Sequence, residues 1–229
     1  MISKISILVP VMNNQGTLTK LVDEVSAALD SHALEFIFVE DASTDGSRDI
    51  LVELVDRDDR VHVMINTVNL GQQPSIRRGL ARCSGDAVVV MDADLQDPPD
   101  AIPMLLEALI DGPYDAVFAG RLGQYQSVSR MISGTIFRFV MRRMTNLPKG
   151  AGGFVMMRGH VAGEVAAKKG KWFYLPGLIG CGGHRVHAIP VGRSKRISGH
   201  SAFSSSMRWK TGFSNVAAVL QERVFHAKR

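Results

Sequence analysis

Short apolar runs alternate with amphipathic helical segments over the first 120 residues, and this alternation restricts the fold more than any other feature. Strands joined to helices by short connections form a parallel sheet covered by helices on both faces. Apolar runs predict strands at Ile5–Val9, Phe36–Val39, Val61–Ile65, Ala87–Met91 and Tyr114–Ala119. Helical spacing predicts helices at Thr17–Leu29, Asp45–Val55 (N-cap Asp45 or Ser43), Pro74–Cys83 and from Pro98 through Leu109.

Polar and acidic residues follow each predicted strand. In open parallel sheets, ligands bind beyond the carboxyl ends of the strands, so these segments are expected to meet at one binding edge. They begin at Pro10, Glu40, Asn69, Asp92 and Gly120. Any one of them is explained equally well as a simple turn. The chain lacks both G-x-G-x-x-G after its first strand and G-x-x-x-x-G-K-[ST], which argues against a dinucleotide-binding site and a P-loop.

The segment VVVMDADLQDPP, residues 88–99, places two carboxylates directly after a buried strand. Asp92 and Asp94 lie one residue apart, and carboxylates this close repel unless a cation joins them. Carboxylate, phosphate and water oxygens are the ligands that Mg²⁺ and Mn²⁺ prefer. The segment therefore indicates a divalent metal site, with an ordinary acidic turn as the alternative.

Charge is divided unevenly along the 229 residues. Residues 1–115 contain 8 Lys and Arg against 20 Asp and Glu, a balance of −12. Residues 116–229 contain 19 Lys and Arg against Glu164 and Glu222 alone, a balance of +17. The second half is expected to meet an anionic partner, or the first half, or both. Without a recognition motif or interleaved aromatic residues, nucleic acid is not the expected partner.

Several features indicate a cytoplasmic protein. Cys83 and Cys181 are far apart without metal-ligand spacing, which is typical of two reduced thiols. The N-terminus lacks a signal-peptide pattern, and the longest apolar stretches are shorter than 18 residues. We therefore expect a cytoplasmic protein of one domain, or of one domain plus an appendage. The basic second half also allows a peripheral position at the inner face of the membrane.

The motifs together resemble family-2 glycosyltransferases of the GT-A fold, in particular the polyprenyl-phosphate branch, which includes dolichyl-phosphate mannose synthases and undecaprenyl-phosphate sugar transferases. VVVMDADLQDPPD is similar to the family's DADLQDPPE, and FVEDASTDGS to its DDGSxDGS. NLGQQPSIRRGLARCSGD, YDAVFAGR and the opening ILVPVMNN resemble further family motifs. The resemblance covers nearly the whole chain and implies a GT-A fold.

The resemblance also implies roles for the matching residues. Asp92 and Asp94, with Gln96, would hold Mg²⁺ or Mn²⁺ on the donor diphosphate, and Asp41 would contact the nucleotide base near Pro10. Arg121 and Arg130 would meet phosphate charge, and Arg196 would meet the acceptor phosphate. The catalytic set is Asp92, Asp94, Arg121 and Arg196. The substrate-binding set is Pro10, Asn13, Asp41, Asp45, Gly71, Arg78, Asp92, Arg130 and Ser201.

Five features depart from the family pattern. Met12 and Asn14 replace the usual aromatic and acidic residues, Glu40 replaces the first Asp of DDGS, and Ala202 replaces a Lys. Gly150–Gly153 lacks an acid that is common there, which is tolerable if the acceptor is an ionised phosphate that needs no general base. The sequence also ends about where many relatives begin transmembrane helices, so we expect a form of the enzyme without them.

The expected domain organisation is a catalytic domain at residues 1–203 and a basic amphipathic helix at 204–229. Residues 1–121 would form the nucleotide-sugar-binding half, and 122–203 the acceptor half. Trp209, Phe213, Val216, Leu220 and Val224 form an apolar helical stripe in the last segment. This stripe fits a membrane interface, or packing on its own domain or on a second subunit.

The sequence thus predicts an inverting, metal-dependent transferase that moves a sugar from a UDP- or GDP-linked donor to a polyprenyl phosphate at the membrane surface, in cell-envelope glycan synthesis. A transferase acting on a saccharide or other small acceptor is the first alternative. A non-catalytic nucleotide-sugar-binding protein is the second. A homodimer, or a separate membrane-anchor subunit, is compatible with each.

Overall fold

The computed structural model describes residues 2–121, 144–192 and 214–222. Its elements follow the predicted alternation: β1 Lys4–Val11, α1 Leu18–Ala28, β2 Ala33–Asp41, α2 Ser47–Arg57, β3 Val61–Asn66, α3 Gln72–Leu80 and β4 Ala87–Val90. A 3₁₀ turn at Pro99–Ala101 leads into α4 Ile102–Asp111, and β5 Ala116–Arg121 follows. Then come β6 Val155–Arg158, α5 Gly159–Ala166, α6 Leu175–Cys181 and β7 Val186–Val191. Residues 214–222 are helical.

These strands form one seven-stranded sheet in the order β3-β2-β1-β4-β6-β5-β7. All neighbouring pairs are parallel except those of β6, which runs antiparallel between β4 and β5. The predicted mostly parallel α/β fold is confirmed. The sheet continues across the expected boundary at residue 121, because β5 pairs with both β6 and β7.

The core lies in two layers, one on each face of the sheet. Successive strand residues point to opposite faces, so Ile7 contributes to one layer and Leu8 to the other. The first layer packs against α1, α2 and α4, and the second against α3, α5 and α6. Helix α3 approaches the sheet closely, since a Cβ at Gly79 would lie 2.1 Å from Leu8 Cδ1. The position of α3 is therefore fixed by backbone-to-sheet contact.

Several predicted element boundaries were wrong by two or three residues. Helix α2 begins at Ser47 with Gly46 as its N-cap, rather than at Asp45 with Asp45 or Ser43 as cap. The Asp45 carboxylate nevertheless accepts a hydrogen bond from the Ser47 N–H, at 3.0 Å, so it supports the helix from one residue further out. Helix α3 begins at Gln72, two residues before the predicted start at Pro74. It ends at Leu80, three residues before the predicted end at Cys83.

The helical segment 214–222 packs on the rest of the domain. Its buried face contains Asn215, Ala218, Val219 and Glu222, and Lys168 forms an ion pair with Glu222 at 2.5 Å. Leu220, from the predicted apolar stripe, is 50% exposed. Trp209, Phe213 and Val224 lie outside the described residues. In the part of the chain that the structure describes, no helix is long and apolar enough to cross a bilayer.

Candidate active site

The carboxyl ends of β1, β2 and β4 meet at one edge of the sheet, called here the carboxyl edge. Val11 is in register with Glu40, and Leu8 with Val90, so the segments that follow these strands begin side by side. Pro10 lies within β1 opposite Val39. Asp41, Asp92 and Asp94 are thereby carried to the same edge, as the sequence predicted.

Asp41 is the last residue of β2, and only 3% of its surface is exposed. Its Oδ1 accepts hydrogen bonds from the Leu70 N–H at 2.8 Å and from Asn66 Nδ2 at 2.7 Å. Its Oδ2 accepts the Gly71 N–H at 2.7 Å. The carboxylate therefore shapes the loop between β3 and α3, in addition to the predicted role in binding the base.

Two further predicted residues belong to this loop. Gly71 has φ +92° and ψ 162°, a conformation available to Gly and strained for other residues. Arg78, on the last turn of α3, donates to Asn66 Oδ1, and Asn66 also donates to Ser75 Oγ at 3.0 Å. Asn66 thus connects the Arg78 guanidinium to Asp41, and no motif in the sequence had identified it.

The loops after β1 and β2 are joined by side chains of predicted site residues. Asn13, with φ 56°, accepts the Thr44 N–H through Oδ1 at 2.8 Å. Asp45 accepts the Gln15 N–H at 3.2 Å. Burial alone would raise the pKa of Asp45, but its hydrogen bonds from Ser47 and Gln15 outweigh burial and lower it. Both side chains therefore connect the loop after β1 to the loop after β2 at the carboxyl edge.

Asp92 and Asp94 follow β4 directly. Asp92 Oδ1 accepts a hydrogen bond from Gln72 Nε2 at 2.6 Å, and its N–H lies 3.4 Å from Asp97 Oδ2. Asp94 is 5% exposed, and its Oδ1 accepts the Gln96 N–H at 3.1 Å across Leu95, which has φ 56°. This tight turn keeps both carboxylates and Gln96 within one short segment.

The donor set fits a hard divalent cation, because Asp92, Asp94 and Gln96 offer only oxygen ligands. Among residues 2–121, 144–192 and 214–222, no cluster of three or more His, Cys, Asp or Glu is arranged to hold a metal by itself. Any further ligands of a cation held by Asp92, Asp94 and Gln96 would be oxygens of water or phosphate.

Four predicted site residues, three arginines and one serine, lie at the limit of the described residues or outside them. The backbone of Arg121 ends β5, in register with Val191 of β7. Arg130, Arg196 and Ser201 lie outside the described residues. Their roles remain predictions.

Antiparallel β6 brings a further segment to the carboxyl edge. Val155, its first residue, pairs with Val90, the last residue of β4, so Gly150–Gly153 arrive next to the start of the Asp92 segment. The stretch from Asn146 to Phe154 contains Lys149 and no acid. The acid missing from the motif is thus missing from a position beside the carboxylates.

The chain matches the model of one protein family and is similar in sequence to several known proteins. The model of the family described as Glycosyl transferase family 2 matches residues 6–164. Undecaprenyl-phosphate 4-deoxy-4-formamido-L-arabinose transferases of Yersinia pestis (strain Pestoides F) and Yersinia pseudotuberculosis (serotype O:3, strain YPIII) are each 31% identical over 208 residues. The alignments cover 89% of this chain, which spans 63% of the length of each relative.

Solved structures with the same fold include glucosyl-3-phosphoglycerate synthase from Mycobacterium tuberculosis. Its complex with Mn²⁺, UDP and phosphoglyceric acid superposes with a TM-score of 0.70 at 19% identity, covering 96% of this chain and 78% of that one. Its complex with Mn²⁺, UDP-glucose and phosphoglyceric acid gives the same TM-score and identity, with 79% of that chain covered. This similarity confirms the predicted GT-A fold.

Proposed function

The chain belongs to glycosyltransferase family 2, and from that premise we propose that it transfers a sugar from a nucleotide-diphospho-sugar to a polyprenyl phosphate, with inversion at the anomeric carbon. The observation that carries the proposal is the grouping of Asp41, Asp92 and Asp94 at the carboxyl edge of the sheet, where such folds bind ligands. The names of the Yersinia relatives support the lipid-phosphate acceptor.

The donor would lie across the loops at this edge. The base would approach Asp41 and Pro10, beside the Asn13–Thr44 contact that joins the first two loops. The diphosphate would lie over Asp92 and Asp94, with Arg121 and Arg130 contributing positive charge as the motif implies. Asp41 already holds the Gly71 N–H, so it would act on the donor from a fixed position.

Asp92, Asp94 and Gln96 would hold Mg²⁺ or Mn²⁺. When bound, the metal neutralises the negative charge that builds on the leaving diphosphate as the bond to the anomeric carbon breaks. Two carboxylates supply the charge that retains the ion, and the turn at Leu95 keeps Asp94 in a fixed relation to Gln96.

The acceptor would enter from the side of Gly150–Gly153. An alcohol acceptor must lose a proton to a base during transfer. A phosphate monoester has a second pKa of about 6 and is already largely ionised at neutral pH. One phosphate oxygen would attack the anomeric carbon as the nucleoside diphosphate leaves. The absence of an acid between Asn146 and Phe154 is compatible with this acceptor and unfavourable for a sugar hydroxyl.

The lipid acceptor implies an encounter at the membrane surface, on the inner face. The balance of +17 over residues 116–229 would favour anionic headgroups, and Leu220 is exposed on the outer side of segment 214–222. Flotation with vesicles of anionic and neutral lipid tests this contact. Leu220→Ser should reduce recovery with anionic vesicles, and equal recovery of variant and wild type would refute a role for this side chain.

A donor screen with and without a short polyprenyl phosphate tests the proposed function. Release of nucleoside diphosphate from UDP- or GDP-sugars should increase when the lipid phosphate is added with Mn²⁺ or Mg²⁺. A glycosylated lipid of the corresponding mass is the direct readout. Transfer to a free saccharide and not to polyprenyl phosphate would establish the soluble-acceptor alternative instead.

Binding without turnover would indicate the non-catalytic alternative. Calorimetry with UDP and GDP in the presence of Mn²⁺ measures this separately from transfer. Should Asp92→Ala and Asp94→Ala bind both nucleotides as tightly as wild type, the donor site would be assigned to the wrong residues.

A further inference from the structure

Three consecutive residues at the start of α3 form hydrogen bonds with three different parts of the molecule, two of them in the candidate site. The Gly71 N–H donates to Asp41 at 2.7 Å, and Gln72 Nε2 donates to Asp92 at 2.6 Å. Gln73 Oε1 accepts the Leu175 N–H of α6 at 2.9 Å. The helix that carries them is held against the sheet at Gly79. The start of α3 is thereby joined by hydrogen bonds to Asp41, Asp92 and α6.

We propose that Gln72 is a positioning residue for the metal-binding carboxylate of Asp92. This inference rests on the proposed function, since it concerns the metal on the donor diphosphate. The contact joins residues 20 positions apart, and at 2.6 Å it has the length of a charge-assisted hydrogen bond. It restricts rotation of the carboxylate about its Cβ–Cγ bond and so determines the direction in which the oxygens face a cation.

The chemical type of this donor matters as much as its position. A Lys or Arg at position 72 would also orient Asp92, but its positive charge would repel the cation and reduce the charge of the site. The Gln amide orients the carboxylate without adding a charge of its own. A Glu at the same position would place one carboxylate against another.

The effect should appear in metal affinity, because partners of metal ligands typically change affinity or activity about 10–100-fold when removed. We expect Gln72→Ala to raise the Mn²⁺ concentration needed for half-maximal nucleotide binding about tenfold. Calorimetric titration of Mn²⁺ into protein with UDP, and separately with GDP, measures this without any turnover.

Gln73→Ala is the matched control. It removes an amide of the same size from the next residue of the same helix, but its hydrogen bond goes to a backbone N–H of α6. We expect Mn²⁺ dependence within about twofold of wild type for this variant. Thermal unfolding of all variants identifies any change that comes from helix damage, which would affect both glutamine variants alike.

Asp92→Asn separates failure of this inference from failure of the proposed function. Loss of Mn²⁺-dependent nucleotide binding in Asp92→Asn, with Gln72→Ala equal to wild type, would refute the role of Gln72 and leave the donor site intact. Unchanged binding in Asp92→Asn would refute the metal site itself, and the inference with it. Equal weakening by Gln72→Ala and Gln73→Ala would reduce Gln72 to a structural residue.

Discussion

The two edges of the sheet both hold acidic side chains, but with different partners. The opposite edge, where β1 begins at Lys4, is called here the amino edge. There, Glu35 accepts hydrogen bonds from Lys4 Nζ at 2.6 Å and from the Ser84 N–H at 2.6 Å. Asp86 accepts the N–H groups of Ser3 and Lys4 at 2.8 and 3.0 Å. At the carboxyl edge, Asp92 accepts a hydrogen bond from the neutral side-chain amide of Gln72. The positively charged Lys4 is a partner of the buried Glu35 at the amino edge. The partner Gln72 of Asp92 at the carboxyl edge is a neutral amide.

Titration at the amino edge follows from these contacts. Burial alone would raise the pKa of Glu35, but the hydrogen bonds from Lys4, Ser6 and Ser84 outweigh burial and lower it to about 2. The pKa of the neighbouring Cys83 thiol rises to about 12 through burial and the Glu35 charge, so this cysteine is an unreactive packing residue. The amino edge therefore contributes stability, whereas the carboxyl edge holds the residues that we propose bind the donor.

The largest expected effect comes from neutralising the carboxyl edge. Asp92→Asn and Asp94→Asn should each lower turnover about 10²–10³-fold or more, because charge on the leaving group would lose its main stabilisation. Nucleotide release with polyprenyl phosphate measures this. Glu35→Gln, the equivalent change at the amino edge, should retain turnover in the folded fraction. Similar losses at both edges would contradict the division of roles.

Glu35→Gln should instead reduce the free energy of unfolding at pH 7, by about 1.5–3 kcal/mol, because it weakens hydrogen bonds to a charged group. The folded-state pKa of about 2 lies below the ordinary glutamate pKa of 4.5, so this stabilisation is present above pH 4.5 and disappears as pH falls toward 2. Urea denaturation across that range should show wild type losing its advantage over the variant. An advantage that grows with acidity would contradict the lowered pKa.

Gly71→Ala tests how far the loop after β3 depends on its backbone. A Cβ there meets nothing within 4 Å, so the expected cost of about 1–3 kcal/mol comes from the positive φ alone. Nucleotide affinity should fall with it, because the Gly71 N–H holds Asp41. Gly163→Ala, in α5 with equally open space, should stabilise by up to about 1 kcal/mol. If thermal unfolding showed both variants stabilised or both destabilised, the positive φ of Gly71 would not explain the cost of its substitution.

Asp45→Asn should have the smallest effect, below about 1 kcal/mol in the free energy of unfolding. Asp45 lies at the carboxyl edge but contacts backbone N–H groups of Gln15 and Ser47, as the amino-edge acids do. Its lowered pKa means that the contribution of its charge is lost as pH falls. Denaturation at pH 7 measures the cost, and a larger cost than that of Glu35→Gln would reverse the ranking of the two edges.

Local patterns in the sequence determined much of this protein. Apolar runs and helical spacing identified the alternating strands and helices as far as β5, and hence a parallel sheet. Asp41, Asp92 and Asp94 could be assigned to one edge because the residues after parallel strands necessarily lie together. Boundaries of α2 and α3 were missed because caps depend on side chains from other loops, such as Gln15 Oε1 accepting the Gly46 N–H.

The tertiary structure alone decided which distant residues meet. Gln72 reaches Asp92 because β4 lies beside β1 and α3 packs on β1 and β2. The sequence between residues 72 and 92 contains no pattern that predicts this contact. Antiparallel β6 between β4 and β5 places Gly150–Gly153 at the site for the same reason. Segment 214–222 buries Ala218 and Val219 and exposes Leu220, although periodicity alone favoured the Val216–Leu220 stripe. Periodicity depends on neighbours along the chain, whereas these contacts depend on strand order and on which surface each helix finds.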